Sequence, residues 1–315
     1  MNPMNPMNLM NLMNLMNRPG YSLYMPRLRV LCALSLVILI PRPADAWGFA
    51  AHRYIMTMAI PRLPPALRPF FEANRSEIVE HAIDPDLWRT AGWEIEDKRH
   101  FVDMDAYGPY PFADLPHVEE DAVAKFTRAF VDKNGLLPWR TQEIYGKLVE
   151  AFTQKAGYSR ENIKFFSSVI AHYVGDAHVP FHAALNYDGQ LTQQWGIHAR
   201  FESELFERYR SQLVVRPGAA VPVASARELS FASLTESYTF VQPILEADRL
   251  AVAGRDVYDD GYYRQLFAKA RPILEGRLAD SVRDVVSVIT AAWVEAGQPA
   301  VPVTVQRAPR TVRRQ

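Results

Sequence analysis

From Phe49 onward apolar residues recur at intervals of three and four, and no stretch alternates apolar and polar positions for long, so the chain predicts helices and no strands. Pro61, Pro64 and Pro65 interrupt the first helical segment, and Asp84-Pro85-Asp86 opens an irregular stretch. Residues 101–118, FVDMDAYGPYPFADLPHV, are dense in Pro, Gly, Asp and aromatics and predict a long ordered loop. Helices are expected at about 119–133, 139–156 and 160–177, the last with Phe166, Val169, Ile170 and Tyr173 along one side. A loop over 183–195 and helices near 197–213, 227–252 and 258–296 follow. With no internal repeat and no linker, the pattern describes one all-α domain over residues 47–298, and the Pro-, Val- and Arg-rich residues 299–315 predict a disordered tail.

Residues 1–46 have a different character. The first sixteen, MNPMNPMNLMNLMNLM, form a short-period repeat with no core-forming pattern. A leader is legible from Met25: Arg27 and Arg29 form a positive start, Val30 to Ile40 an apolar run, and Ala44-Asp45-Ala46 a small-x-small cleavage site. The run is short for a membrane span, so export with cleavage after Ala46 is expected, giving a secreted or periplasmic chain that begins at Trp47. A new α-amine at Trp47, with its own carbonyl, is a chelate that no internal residue offers. The one cysteine, Cys32, lies in the leader, so disulfides play no part in the mature chain.

Charge changes the picture only after the ends are set aside. The totals balance at 35 basic and 35 acidic residues, but four arginines against one aspartate lie in 1–46, and four more arginines lie in 307–315. The body between them carries 27 basic against 34 acidic residues, which disfavours nucleic-acid binding unless cations are bound in it. Nothing in the sequence predicts a protein partner.

Cations are what the histidines suggest. His172 and Asp176 stand four apart on an expected helix, on one face, where both can reach one ion. His182 follows past Pro180, and His198 and Glu202 repeat the spacing of four on the next helix. One such pair arises easily as a surface pair, whereas two pairs and a further histidine within residues 172–202 point to a metal site.

The strings HYVGDAHVPFH and GIHARFE resemble the signature of the zinc-dependent phospholipase C and P1 nuclease superfamily. The remaining motifs of that superfamily have counterparts upstream, in order: Trp47 and His52 in WGFAAH, Asp86 in DPDLWR with Asp84 as a nearby alternative, and His100 in RHFVD. The resemblance implies an all-α catalytic domain with three Zn²⁺ ions. Asp86, His100, His172 and Asp176 would hold the first. The Trp47 amine and carbonyl, His52 and the second oxygen of Asp176 would hold another, and His182, His198 and Glu202 the third. It also implies hydrolysis of a phosphodiester by a zinc-activated water, with Asp176 bridging two ions and Asp86 orienting or deprotonating the nucleophile. His81, His117 and His178 have no counterpart in the superfamily, and His178 is expected to make a hydrogen bond that is structural or that steadies a metal ligand.

The substrate is divided between two branches. Glu202 resembles the phospholipase side, and the short step from Trp47 to His52 the nuclease side. Asp188-Gly189-Gln190 and Gly196-Ile197-His198 replace the Gly-Gly-Asn and Asn-Leu-His strings of the nucleases, while Ala50 and Asp97 stand where phospholipases have an acidic and an aromatic residue. The acidic body tilts the expectation toward a phospholipid headgroup, with contact to a membrane surface, or a small phosphodiester, over single-stranded nucleic acid. A zinc-binding protein without turnover is the other class of reading. Asn186 to Gln190 read either as a substrate rim or as a turn built on Asp-Gly. Tyr107, Tyr110, Phe112, Tyr187 and Trp195 are candidates to meet acyl chains or bases, or to pack their own loops.

Overall fold

A computed structural model describes residues 48–153 and 158–303. Among them there are helices and turns and no strand, as the periodicity requires. The elements are α1 (Phe49–Ala59), α2 (Arg68–Ala73), α3 (Arg75–Glu80), α4 (Asp84–Thr90), α5 (Glu94–Asp97), α6 (Glu119–Phe126), α7 (Arg128–Lys133), α8 (Leu137–Thr153) and α9 (Ser159–Asp176). They continue with α10 (Ile197–Ala199), α11 (Leu205–Tyr209), α12 (Ala226–Tyr238), α13 (Val241–Val252) and α14 (Asp260–Glu295).

The centre of the fold is α9. A surface helix buries one stripe, but every residue of α9 from Ser167 to Asp176 is buried. Helices α1, α8 and α14 pack around it. α14 is 36 residues long, about 54 Å at the helical rise per residue, and Pro272 sits within it. One contiguous core runs from Ala51 and Ile55 through Val169, Ile170 and Tyr173 to Leu274, Val285 and Ile289. No helix among the described residues is long and apolar enough to cross a membrane.

Several details depart from the sequence pattern, each for a local reason. The helix expected over 119–133 is two, because Thr127 takes φ 73° and its Oγ1 accepts from the Phe130 N–H to cap the second. The helix expected over 227–252 breaks at Thr239 and Phe240 into α12 and α13. Asp84-Pro85-Asp86 is the first turn of α4 rather than an irregular stretch, since proline there loses only an N–H that has no partner in the helix. Of the loop's aromatics, Tyr107 and Phe112 are buried and pack the loop itself, the Tyr107 ring edge-on to Phe126 and Phe130, whereas Tyr110 is exposed. Residues 299–303 are tied to the body, Trp293 Nε1 donating to the Pro299 carbonyl at 2.9 Å and Arg160 Nη2 to the Val303 carbonyl at 2.7 Å. The leader, Trp47 and residues 304–315 lie outside the described residues.

Candidate metal centre

The C-terminal turn of α9 supplies His172 and Asp176, both fully buried, on the face turned toward α1 and the turn before α4. A cation is favoured there, where the unpaired carbonyls of an 18-residue helix concentrate negative potential. His52 comes from α1, whose Ala51, Ile55, Met56 and Ala59 face the core. Its ring lies flat on that of His172, centroids 3.8 Å apart, because the facing residue of α9 is Gly175: a Cβ there would stand 3.2 Å from His52 Nδ1. Asp86 enters from the first turn of α4.

His100 is held by extended backbone. The Val102 N–H donates to the His182 carbonyl at 2.9 Å, tying the segment to the turn Pro180–Ala183 that carries His182. On its other side Gly135, at φ 95°, lets the chain pass so close that a Cβ would lie 2.1 Å from the Phe101 carbonyl oxygen. His198 stands in α10 and Glu202 in the π-helical segment Arg200–Glu204 that follows. Their Nε2 and Oε2 atoms are 2.9 Å apart.

All eight of the described residues expected to bind metal converge in three groups, the first two sharing His172. His52, Asp86 and His172 form one, His100, His172 and Asp176 another, and His182, His198 and Glu202 the third, each with donor atoms within 4.8 Å of one another. Asp176 joins them. Its Oδ2 lies 3.0 Å from His100 Nδ1 and 3.3 Å from His172 Nε2, and its Oδ1 lies 3.4 Å from His52 Nε2 and 3.7 Å from His182 Nδ1. The two candidate aspartates are told apart: Asp86 is buried with its Oδ1 3.8 Å from His100 Nδ1, whereas Asp84 pairs with the exposed His81 at 2.8 Å. Trp47 is outside the described residues, although its neighbour Gly48 packs on Ser203, beside Glu202.

The donors fit metal ions on a specific ground. Both oxygens of Asp86, Asp176 Oδ1, both nitrogens of His52, His182 Nδ1 and Glu202 Oε1 are buried with no hydrogen-bond partner. Each such group costs about 1–3 kcal/mol, more when charged, and a divalent cation satisfies several at once. Without an ion the cluster holds protons unevenly. Burial opposes charge on His172, yet Asp176 and Asp86 push its pKa up to about 9. Burial drives His182 well down and raises Glu202 to about 7 against the pull of His198. Burial opposes the Asp176 charge as well, but His172 and His182 hold its carboxyl well below the usual range. Ion binding must displace the protons on His172 and Glu202, so affinity rises with pH. The donors are N and O with no thiolate, a set that suits zinc and does not exclude other divalent ions.

A cavity of about 720 Å³ opens onto His100, His182 and His198. Arg89 lines it and reaches to 3.4 Å from Asp86 Oδ1. Lys133, Phe101 and Asp103 line it as well, and the Asp103 Oδ1 is buried and unpartnered. Burial, then the neighbouring Asp105, raises Asp103 to about 7. The segment 186–190 is at once rim and turn: Tyr187, Asp188 and Gln190 line the cavity, while Gly189 at φ 74° turns the chain and Asn186 Oδ1 accepts from the Leu191 N–H at 2.8 Å. Sequence reasoning missed Arg89, Asp103 and the buried Glu96 behind His100. Only the spacing Glu96-x3-His100, the same four-residue step that marks the ligand pairs, signalled any of them. His178 makes its expected structural bond, to Asp284 at 3.0 Å. No protein-family model matches the chain, and no curated protein matches it.

Proposed function

We propose that the chain is an exported phosphodiesterase of the zinc-dependent phospholipase C and P1 nuclease type. The observation that carries this reading is the convergence of eight buried His, Asp and Glu side chains whose polar atoms are largely unpartnered, three of them, His100, His182 and His198, lining a cavity large enough for a phosphodiester. Asp86, His100, His172 and Asp176 would hold one ion, His52 and Asp176 with the Trp47 amine another, and His182, His198 and Glu202 the third. Bound zinc supplies charge neutralisation at phosphorus and a lowered pKa for water at neutral pH.

The chain's own groups do the rest. Asp176 faces two histidine pairs through its two oxygens and fixes their spacing. Asp86, about one helical turn before the cavity-lining Arg89 on α4, would orient the attacking water and take its proton. Arg89 presents a guanidinium beside Asp86, where a non-bridging phosphate oxygen gains a charge-assisted hydrogen bond that strengthens as negative charge develops.

For the substrate, the exposed Leu185, Tyr187, Leu191 and Trp195 on the segment beside the cavity mouth favour a phospholipid-like ester at a lipid surface. A second reading rests on Asp103: a buried, unpartnered carboxyl beside Phe101 favours a planar hydrogen-bonding group such as a nucleobase. The test is a parallel assay of protein starting at Trp47 on phospholipid vesicles, single-stranded DNA and RNA, with Asp176→Asn as control. Asp176→Asn is expected to lose at least about 10³-fold in rate, beyond the 10–100-fold typical of residues that only support a ligand. Cleavage of nucleic acid alone removes the phospholipid reading. Zinc bound without hydrolysis of any of the three removes the enzyme and leaves a zinc-binding protein.

A further inference from the structure

Two of the histidines facing Asp176 expose opposite ring nitrogens to the cluster, and the atom behind each ring differs. His172 turns Nε2 inward and donates from Nδ1 to the Ala82 carbonyl at 3.0 Å. His100 turns Nδ1 inward, 3.0 Å from Asp176 Oδ2 and 3.1 Å from His172 Nε2. Its Nε2 points back into the protein, is buried, and has no hydrogen-bond partner. A neutral imidazole that offers the Nδ1 lone pair to a cation must carry its proton on Nε2, so something behind the ring has to favour a proton there.

The group behind it is Glu96, fully buried at the end of α5, with Oε1 3.9 Å from His100 Nε2. A carboxylate with no access to water is costly unless it is held and used. Glu96 is held on two sides. Arg99 Nη1 donates to Oε2 at 2.9 Å, and the Tyr173 hydroxyl donates to Oε1. Tyr173 in turn accepts from Arg140 Nε at 3.3 Å, which fixes the hydroxyl's direction. Tyr173 also follows His172 directly on α9, so the helix that carries two donors carries the clamp on Glu96 as well.

We propose that Glu96 is a positioning residue for the metal centre: from behind His100 its negative field selects the tautomer protonated on Nε2 and turns the Nδ1 lone pair toward Asp86, His172 and Asp176. Carboxylates placed behind ligating histidines raise the ring's basicity and lock its orientation. Glu96 touches no substrate, and its effect reaches the chemistry only through His100. The inference rests on the metal-centre reading above.

The experiment is a zinc titration by chelator competition on protein starting at Trp47, comparing wild type with Glu96→Gln, Glu96→Asp and Tyr173→Phe, together with the visible spectrum of each after cobalt loading. Glu96→Gln keeps size and the bond from Tyr173 but removes the charge. It is expected to weaken one ion by about 10–100-fold, leave the others unchanged and shift the cobalt spectrum, with Glu96→Asp restoring part of the loss and Tyr173→Phe giving a smaller loss in the same direction. A purely structural Glu96 moves the melting temperature and neither of those readouts. Wild-type zinc affinity and an unshifted cobalt spectrum in Glu96→Gln overturn the proposal; if that variant does not fold, unchanged affinity in Tyr173→Phe does so. A wild-type chain that takes up no zinc overturns the metal-centre reading with it. Tight zinc binding without phosphodiester hydrolysis removes the enzymatic reading and leaves this inference standing.

Discussion

Two histidines six residues apart along the chain each pair with an aspartate, and the pairs have opposite characters. His172 and Asp176 sit in the last turn of α9, and His178, just beyond it, reaches Asp284 on α14. All four are buried. In the second pair every polar atom is satisfied: His178 Nε2 donates to Asp284 Oδ2 at 3.0 Å, Arg283 donates to both Asp284 oxygens at 2.7 and 3.0 Å, and Arg277 Nη1 donates to His178 Nδ1 at 3.4 Å. In the first, Asp176 Oδ1 has no hydrogen-bond partner, and neither do the facing nitrogens of His52 and His182. Residue type and burial therefore do not separate a structural pair from a candidate ligand pair. The completeness of hydrogen bonding does, because buried polar atoms are as a rule paired, and a cluster of unpaired ones in one place calls for something else to pair them.

The largest effect that can break this comparison is removal of the ions. An ion present at a thousand times its dissociation constant stabilises the fold by about 4 kcal/mol. In a domain of this size that is roughly 8–16 °C in melting temperature. Zinc-loaded protein treated with a chelator is expected to lose all hydrolytic activity and at least that much thermal stability, both returning with zinc. A melting temperature indifferent to chelator and to added zinc means that the unpartnered atoms around Asp176 tolerate burial without an ion, and the contrast with His178 and Asp284 loses its meaning.

How far the sequence carries one toward this site depends on which residues are asked about. His172 with Asp176, and His198 with Glu202, declare themselves through a four-residue step on a helix, since that step alone puts two side chains on one face. His52, Asp86 and His100 do not. Each is a single polar residue whose meaning comes from chain crossings far along the sequence, and only the ordered resemblance singled them out. Glu96 and Arg89 lie in the charged stretch RTAGWEIEDKR, which reads as a solvated surface. Glu96 is buried nonetheless, because Tyr173 and Arg99 come to meet it. The helices were legible to within a few residues, and their breaks were not. Thr127 turns through a positive φ that its type rarely adopts, and the loop over 101–118 buries Tyr107 against Phe126 and Phe130 and Phe112 against Tyr238 of α12, partners that no local pattern announces.

Smaller effects sharpen the comparison from the structural side. Asp284→Asn leaves Arg283 with Asp280 as its carboxylate partner and His178 without its acceptor charge, and the loss is expected near about 3 kcal/mol, the lower end for breaking a buried ion pair. Unfolding by urea should register that loss while zinc stoichiometry and activity at low temperature stay at the wild-type level. A variant that sheds zinc instead would show that the two pairs are one site.

The smallest effect is a pH dependence. Burial opposes the Asp284 charge, but His178 and Arg283 outweigh it and hold the carboxyl down at about 2. The folded pKa lies below the unfolded one, so the stability it confers is fully present above about pH 4 and is lost as pH falls toward 2, amounting to roughly 2 kcal/mol. Asp176 is depressed too, and its share has to be taken out. The measurement is therefore made on chelated Asp176→Asn protein, with unfolding free energy followed from about pH 5 downward, against the Asp176→Asn/Asp284→Asn double variant. The double variant should start lower and decline less steeply, because one carboxylate whose protonation opposes folding is gone. Equal slopes would mean that Asp284 does not draw its stability from charge, and that the hydrogen bonds around His178 hold the two helices together without it.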